Sequence, residues 1–284
     1  MDVFPELKKI QEIELEILVK FDEICRSNDL KYCLDSGTLL GAVRHGGFIP
    51  WDDDIDVSMP RADYDKFMAI GQDCLGSDFF LQNRKTDPKA PFTFSKIRKN
   101  GTTFMEWNKR NIKMHQGIFI DIFPFDVLPE EEEGRKEYID KCYNLNRRLI
   151  NRMIPDRAQV PEKSLKWLIG AVARRIKYYF LHFIPISRID NEIDKEFSKY
   201  KDRGIEGRDL ISHSYYMKDV FSSDIFTPPQ EMTFEGHKFY VPADYDRYLK
   251  LVYGDYMQLP PIEDRVGHRP KYVSLDKELF QRYV

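Results

Sequence analysis

At 284 residues with a formal net charge of −3, the chain has room for a large core and no bulk attraction to nucleic acid. Hydrophobic residues at 42%, aromatics at 14% and four cysteines exclude a disordered chain, a collagen-like repeat and a disulfide scaffold. Cys25, Cys33, Cys74 and Cys142 form no CxxC pair and read as buried free thiols. Charged residues begin at Asp2 and no apolar signal core follows them. No uncharged run approaches the ~18 residues of a membrane span, so the expectation is an intracellular chain, cytoplasmic or at most peripheral.

Leu7, Ile10, Ile13, Ile17, Phe21 and Ile24 recur at spacings of three and four and predict an amphipathic opening helix. Tyr32 to Leu34 reads as a short strand, Ser36-Gly37-Thr38 as a turn, and Leu39 to His45 as a helix stopped by Gly46-Gly47. Ile55 to Val57 reads as a strand, followed by a helix around Tyr64, Phe67 and Met68. Phe79 to Gln82, Phe92 to Arg98 and Gly117 to Phe123 are further strands, the last rich in β-branched and aromatic residues. A long helix starts near Pro129, with Tyr138, Cys142, Leu145 and Leu149 inward, and Pro155 to Pro161 reads as a linker. Ser187 with Asp190 opens another helix, Thr233 to Val241 is a hairpin turning at Glu235-Gly236, and Tyr245 to Tyr253 is a helix closed by Gly254. Strands cluster before about residue 125 and helices after it. The expected fold is α/β with a small mixed sheet, a catalytic core over 1–155 and a mainly helical accessory part over 156–284 able to complete the active site.

The informative stretch runs from Asp35 to Val57 and contains Asp52, Asp53, Asp54 and Asp56. On a strand, residues two apart share a face, so Asp54 and Asp56 project together, Asp52 continues that parity if the strand begins early, and Asp53 does not. Carboxylates this close repel one another unless a hard divalent cation, above all magnesium, compensates them. A solvated turn is disfavoured by Trp51 and its apolar neighbours. An EF-hand fails because Val57 stands where its glycine is required. The Asp-x-Asp of a nucleotide-sugar glycosyltransferase remains open. Asp121, one acid in the apolar run Ile118 to Phe123, needs a counter-charge or a cation. A Gly-Thr turn opening a helix, paired acids and a third acid on a neighbouring strand form the pattern of a nucleotidyltransferase site.

Leu39-Leu40-Gly41-Ala42-Val43-Arg44-His45 followed by Ile49-Pro50-Trp51-Asp52-Asp53-Asp54-Ile55-Asp56 resembles the signature of the LicD family. That family includes bacterial phosphocholine transferases and, more distantly, fukutin and fukutin-related protein. The resemblance continues through Lys96-Ile97-Arg98, Ile120 to Pro124, Phe239 to Tyr248 and Tyr253 to Pro261. It implies a nucleotidyltransferase-like fold and transfer of a phospho-substituted alcohol from a CDP-activated donor to a hydroxyl of a surface glycan or its lipid-linked precursor, with release of CMP. Phosphocholine from CDP-choline is the leading expectation; ribitol phosphate, glycerol phosphate and a sugar from a nucleotide sugar are the alternatives. Teichoic acid and lipopolysaccharide are the acceptors the family suggests.

By position, the resemblance makes Asp52, Asp54, Asp56 and Asp121 the metal ligands, for Mg2+ or Mn2+, and Asp54, Asp56 and Asp121 the catalytic acids. Gly37 and Thr38 would present donors to phosphate at the helix start, and Lys96 and Arg98 would pair with the phosphates. Arg44, His45, Arg265 and His268 are further candidates for substrate binding. Trp51, Trp107, Tyr253 and Tyr256 could face a quaternary ammonium, although each reads more readily as core, so choline rests on the family resemblance and not on these residues. The four cysteines offer no counterpart to the fukutin-related zinc site. Lys163 to Ile189 is basic and aromatic with no acid at all. It reads either as a core helix with a basic rim or as a helix lying on the inner face of the cytoplasmic membrane.

Overall fold

The computed structural model of the protein describes residues 5–154, 165–212, 220–268 and 270–279. Helix α1 (Leu7–Ser27) buries Ile10, Ile17, Leu18 and Phe21 at spacings that place them on one stripe. Strand β1 (Cys33–Leu34), helix α2 (Ser36–His45), strand β2 (Asp56–Pro60) and helix α3 (Arg61–Leu75) follow. Then come β3 (Phe79–Gln82), β4 (Ser95–Lys99), β5 (Thr103–Met105) and β6 (Phe119–Val127). The next elements are α4 (Glu132–Met153), α5 (Leu165–Leu181), α6 (Ile186–Phe197), β7 (Asp209–Ser212) and β8 (Val220–Ser222). A hairpin of β9 (Gln230–Phe234) and β10 (His237–Val241), helix α7 (Tyr245–Tyr253) and β11 (Tyr272–Ser274) complete the described chain.

The central sheet runs β1-β2-β6-β4-β3, and β7 pairs with both β6 and β8. Only the β2–β6 pair within it is parallel, so the sheet is mixed and the fold is α/β, as expected. Helices α1 and α3 pack on it, with the Phe21 ring 5.0 Å from Phe67 and 5.0 Å from Tyr32. A second apolar cluster joins Leu128 and Ile211 to Tyr138 and Leu149 of α4 and Ile189, Ile193 and Phe197 of α6. Cys25, Cys33 and Cys142 are buried free thiols; Cys74 is free but exposed, on the outer face of α3.

Several boundaries differ from the sequence reading for identifiable reasons. Helix α2 starts at Ser36, not Leu39, because the Asp35 carboxylate accepts the Ser36 N–H and caps it. Strand β2 starts at Asp56, not Ile55: the Asp56 N–H donates to Thr38 Oγ1 at 2.8 Å, and Asp56 O accepts from Asp35 N at 3.0 Å. Residues 52–55 precede the strand proper but keep its alternation: Asp53 and Ile55 are buried, Asp52 and Asp54 half-buried, and Ile55 O accepts from Asp121 N–H at 2.8 Å. Strand β4 starts at Ser95 because Phe92 and Phe94 leave the sheet and stack 5.0 Å apart. The predicted linker from Pro155 to Pro161 lies outside the described residues.

Candidate active site

The sheet register builds the centre of the site. Asp56 on β2 is the parallel partner of Asp121 on β6, and Asp121 is the antiparallel partner of Lys96 on β4. Side chains at partnered positions share a face of the sheet, so two acids and one cation line up across three strands. Lys96 Nζ lies 2.5 Å from Asp121 Oδ1 and 3.5 Å from the centroid of the Phe119 ring. Burial lowers the Lys96 pKa to about 8, against the pull of Asp121. Beside it, Glu106 bonds Lys109. Burial alone would raise the Glu106 carboxyl, but Lys109, Lys96 and His268 together bring it down to about 2.

The loop before β2 adds the other acids. Burial and then their neighbours' charges push Asp52 and Asp56 well above the usual carboxylate range, and burial is also the largest cause of the rise at Asp54. Asp52 is set against the start of α2: a Cβ on Gly37 would come within 2.9 Å of Asp52 Oδ2, so only glycine lets the helix approach. From below, Gln11 of α1 donates to Asp52 O at 2.9 Å.

One turn further along α1, Glu14 is 1% exposed, and its Oε2 has no hydrogen-bond partner among the described residues. Burial, then Asp54, Asp53, Asp52 and Asp121, push its carboxyl well up. The sequence reading missed it. The signal was present, because Glu14 interrupts the buried series Ile10, Ile17, Phe21 at a position where the helical period calls for an apolar residue.

Asp53 is fully buried and grips the C-terminal segment. Its Oδ1 accepts from His268 N–H at 2.9 Å and faces His268 Nδ1 at the same distance; its Oδ2 accepts from the same N–H at 3.0 Å. The Asp54 charge, against burial, pushes the His268 pKa well up, and Nδ1 lies 3.9 Å from Asp54 Oδ2. Gly267 is required here: a Cβ would sit 2.8 Å from the Asp53 carboxylate and 2.9 Å from Trp51 O.

The start of α2 is held from the far side of the fold. Asp35 accepts from Ser36 N–H at 2.7 Å, from Ser58 Oγ and from the Tyr248 hydroxyl of α7. Burial raises its pKa while these bonds oppose the rise. Ser36 is held at φ +47° and leads directly into the first-turn N–H groups of Gly37 and Thr38. Thr38 itself is buried, its oxygen accepting from Asp56 N–H.

At the mouth, Arg44 donates to Tyr256 O at 2.9 Å and to His45 Nε2 at 3.1 Å, and Arg265 donates to Pro260 O at 2.9 Å. Burial and then the Arg265 charge lower the Arg44 pKa, so two like charges face one region. Neither has a carboxylate partner among the described residues. Arg265 lies 5.3 Å from the Trp51 ring centroid, and Tyr253 stands where Asp56, Asp35, Asp52 and Asp54, after burial, raise its pKa. The structure thus gathers Gly37, Thr38, Asp52, Asp54, Asp56, Lys96, Asp121 and His268, with Arg44, His45 and Arg265 around Trp51. Arg98 lies over the same Phe119 ring as Lys96, at 4.8 Å, but is 1% exposed and donates to Gln82 Oε1 and to Gly117 O at 2.6 Å rather than to a site acid.

Crowded, partly buried carboxylates with raised pKa values and an orphaned Glu14 oxygen fit a hard divalent cation, which would supply the missing counter-charge. Among the described residues, the acids and histidine whose ligand atoms all converge within 4.8 Å are Asp53, Asp54 and His268. In that trio Asp53 already bonds the His268 main chain and ring, which leaves Asp54 as its open carboxylate.

The chain is an α/β protein whose mixed sheet aligns acids on adjacent strands beside a capped helix start. Residues 29–166 match the family described as LicD/FKTN/FKRP, nucleotidyltransferase domain. The lipopolysaccharide cholinephosphotransferase LicD of Haemophilus influenzae is 30% identical over 266 residues, 92% of this chain and 95% of that protein. An uncharacterised protein of Rickettsia typhi is 50% identical over 48 residues, 17% of this chain and 16% of that one. The chain belongs to the LicD family.

Proposed function

We propose that the protein is a metal-dependent phosphotransferase that moves phosphocholine from CDP-choline to a hydroxyl of a cell-surface glycan or its lipid-linked precursor. In this reaction the acceptor oxygen bonds to the choline-bearing phosphorus and the bridge to the cytidylate breaks. CMP leaves with that bridging oxygen, and the acceptor loses its proton. The observation that carries the reading is the line Asp56–Asp121–Lys96 across three strands, together with two arginines, Arg44 and Arg265, that lack carboxylate partners among the described residues. Choline as the alcohol is supported by the Haemophilus relative; ribitol and glycerol phosphate are the alternatives.

Asp54, Asp56 and Asp121, with Asp52 beside them, would hold Mg2+ or Mn2+, which supplies positive charge for the donor pyrophosphate and the departing CMP. Asp121 also keeps Lys96 in place, so that an ammonium stands at the edge of the acids and can meet a phosphate oxygen. The Gly37 and Thr38 N–H groups and the unpaired charges of Arg44 and Arg265 favour anionic oxygen. The Asp53–His268 clamp keeps the C-terminal segment against the acids and fixes one wall of the site.

A thermal-protection panel tests the donor class. CDP-choline with Mg2+ should raise the melting temperature more than UDP- or GDP-sugars do. Protection by a nucleotide sugar alone would replace this reading with glycosyl transfer.

A further inference from the structure

Helix α5 is built inside out. It packs on α4 through the half-buried Ala171, Arg174, Tyr178 and Leu181, and Arg152 of α4 reaches His182 at 2.6 Å. A second set of apolar residues points the other way. Ile169 is 63% exposed, Val172 52%, Ile176 53%, Tyr179 60% and Phe180 70%, and Phe183 in the following turn is 85% exposed. Spaced by three and four, these six form one stripe along the helix. At about 3.6 residues per turn, Arg175 and Lys177 fall on opposite flanks of it, both exposed.

An amphipathic helix normally turns its apolar stripe to the core, so a contiguous stripe facing outward marks a surface that meets an apolar phase. Two features identify that phase. First, the stripe is edged by cations, and no acid occurs from Lys163 to Ile189. A second copy docked on the same stripe would bring like charges together, whereas an anionic lipid surface pairs with them. Second, α5 keeps its exposed apolar residues on one stripe with exposed Arg175 and Lys177 on the flanks, the amphipathic form of a helix that lies along an interface.

We propose that α5 and the turn through Phe183 dock the enzyme on an anionic bilayer, with the stripe in the headgroup–acyl boundary and Arg175 and Lys177 among the phosphates. The purpose of such docking, access to a lipid-linked acceptor, rests on the function proposed above. The docking itself does not, and its test contains neither donor nor acceptor.

The experiment is co-sedimentation of the full chain with vesicles of phosphatidylcholine containing about one-third phosphatidylglycerol, against phosphatidylcholine alone. The protein should pellet with the anionic vesicles at low salt and be released at high salt. Ile176→Asp with Phe180→Asp should abolish binding, and Arg175→Glu with Lys177→Glu should weaken it at least about tenfold. Circular dichroism of both variants should match the parent, since all four side chains are exposed. A wild-type chain that stays in the supernatant overturns the proposal, as does binding that both variants leave unchanged. So does a wild-type dimer, seen by sedimentation velocity without vesicle binding, that the stripe variant dissolves.

Discussion

Asp56 and Asp121 stand directly opposite each other on parallel strands β2 and β6, yet among the described residues only Asp121 has a counter-ion, Lys96 at 2.5 Å. The two acids therefore respond differently to the same chemical change. Asp56→Asn removes one of several mutually repelling charges, so the cation-free protein should keep or gain thermal stability while transfer falls at least about 100-fold. Asp121→Asn strands a buried ammonium and should cost about 3 kcal/mol in urea unfolding in addition to activity. Adding Lys96→Met should recover stability without activity. An Asp121→Asn protein as stable as the parent would show that the ion pair does not hold the sheet centre.

The clamp on the C-terminal segment gives a second prediction. Gly267→Ala places a Cβ 2.8 Å from the Asp53 carboxylate, so the 265–268 segment must shift. Activity should drop at least about tenfold, while urea stability changes by only about 1 kcal/mol, because the segment lies at the edge of the fold. Hydrogen exchange at the His268 amide should accelerate in Gly267→Ala and in Asp53→Asn. Unchanged exchange in both would remove the clamp from the account.

Stability should depend on pH in a direction set by the acids. Asp52, Asp54, Asp56 and Glu14 all have raised carboxyl pKa values, so the native state holds protons that the unfolded chain has released. Without divalent cation the melting temperature should fall as pH rises from about 5.5 to about 7.5. Millimolar Mg2+ should reverse most of that fall, giving its larger stabilisation at the higher pH. Equal shifts at both pH values would mean that the cation binds away from these carboxylates.

Glu106 acts in the opposite sense. Its native pKa of about 2 lies below its usual 4.5, so it contributes stability above about pH 4.5 that is lost as pH falls through about 2. Glu106→Gln should lower stability near neutrality and flatten the acid limb of an unfolding curve followed by tryptophan fluorescence. A parallel downward shift of the whole curve would contradict this.

Features governed by local period were legible in the sequence. Helix α7 runs from Tyr245 to Tyr253 and ends at Gly254 as its pattern predicts, and the β9–β10 turn holds Glu235 at φ +48° and Gly236 at φ +80°. The long-range partners were not. Asp35 caps α2 from a position fixed by Tyr248, 213 residues away, and Asp53 is committed to His268 at a separation of 215. Parity set Asp53 apart from Asp52, Asp54 and Asp56, and the burial of these residues does alternate, with Asp53 and Ile55 fully buried and the other three half-buried; what parity could not show is that the buried Asp53 is committed to His268. Lys96 and Arg98 share a strand face as read from the sequence, but the partner chemistry differs. One meets Asp121, while the other meets Gln82 and a main-chain carbonyl that no local pattern announces.

The most direct test is mass spectrometry of the products when the protein meets CDP-choline, CDP-ribitol or CDP-glycerol together with a lipo-oligosaccharide or teichoic acid acceptor. With Mg2+, CMP should form from CDP-choline in step with a phosphocholine mass increment on the glycan, and both should vanish with chelator or in Asp56→Asn. Undiminished product after exhaustive chelation, or nucleotide release with no phospho-alcohol on any acceptor, would contradict the assignment of this site to phosphotransfer.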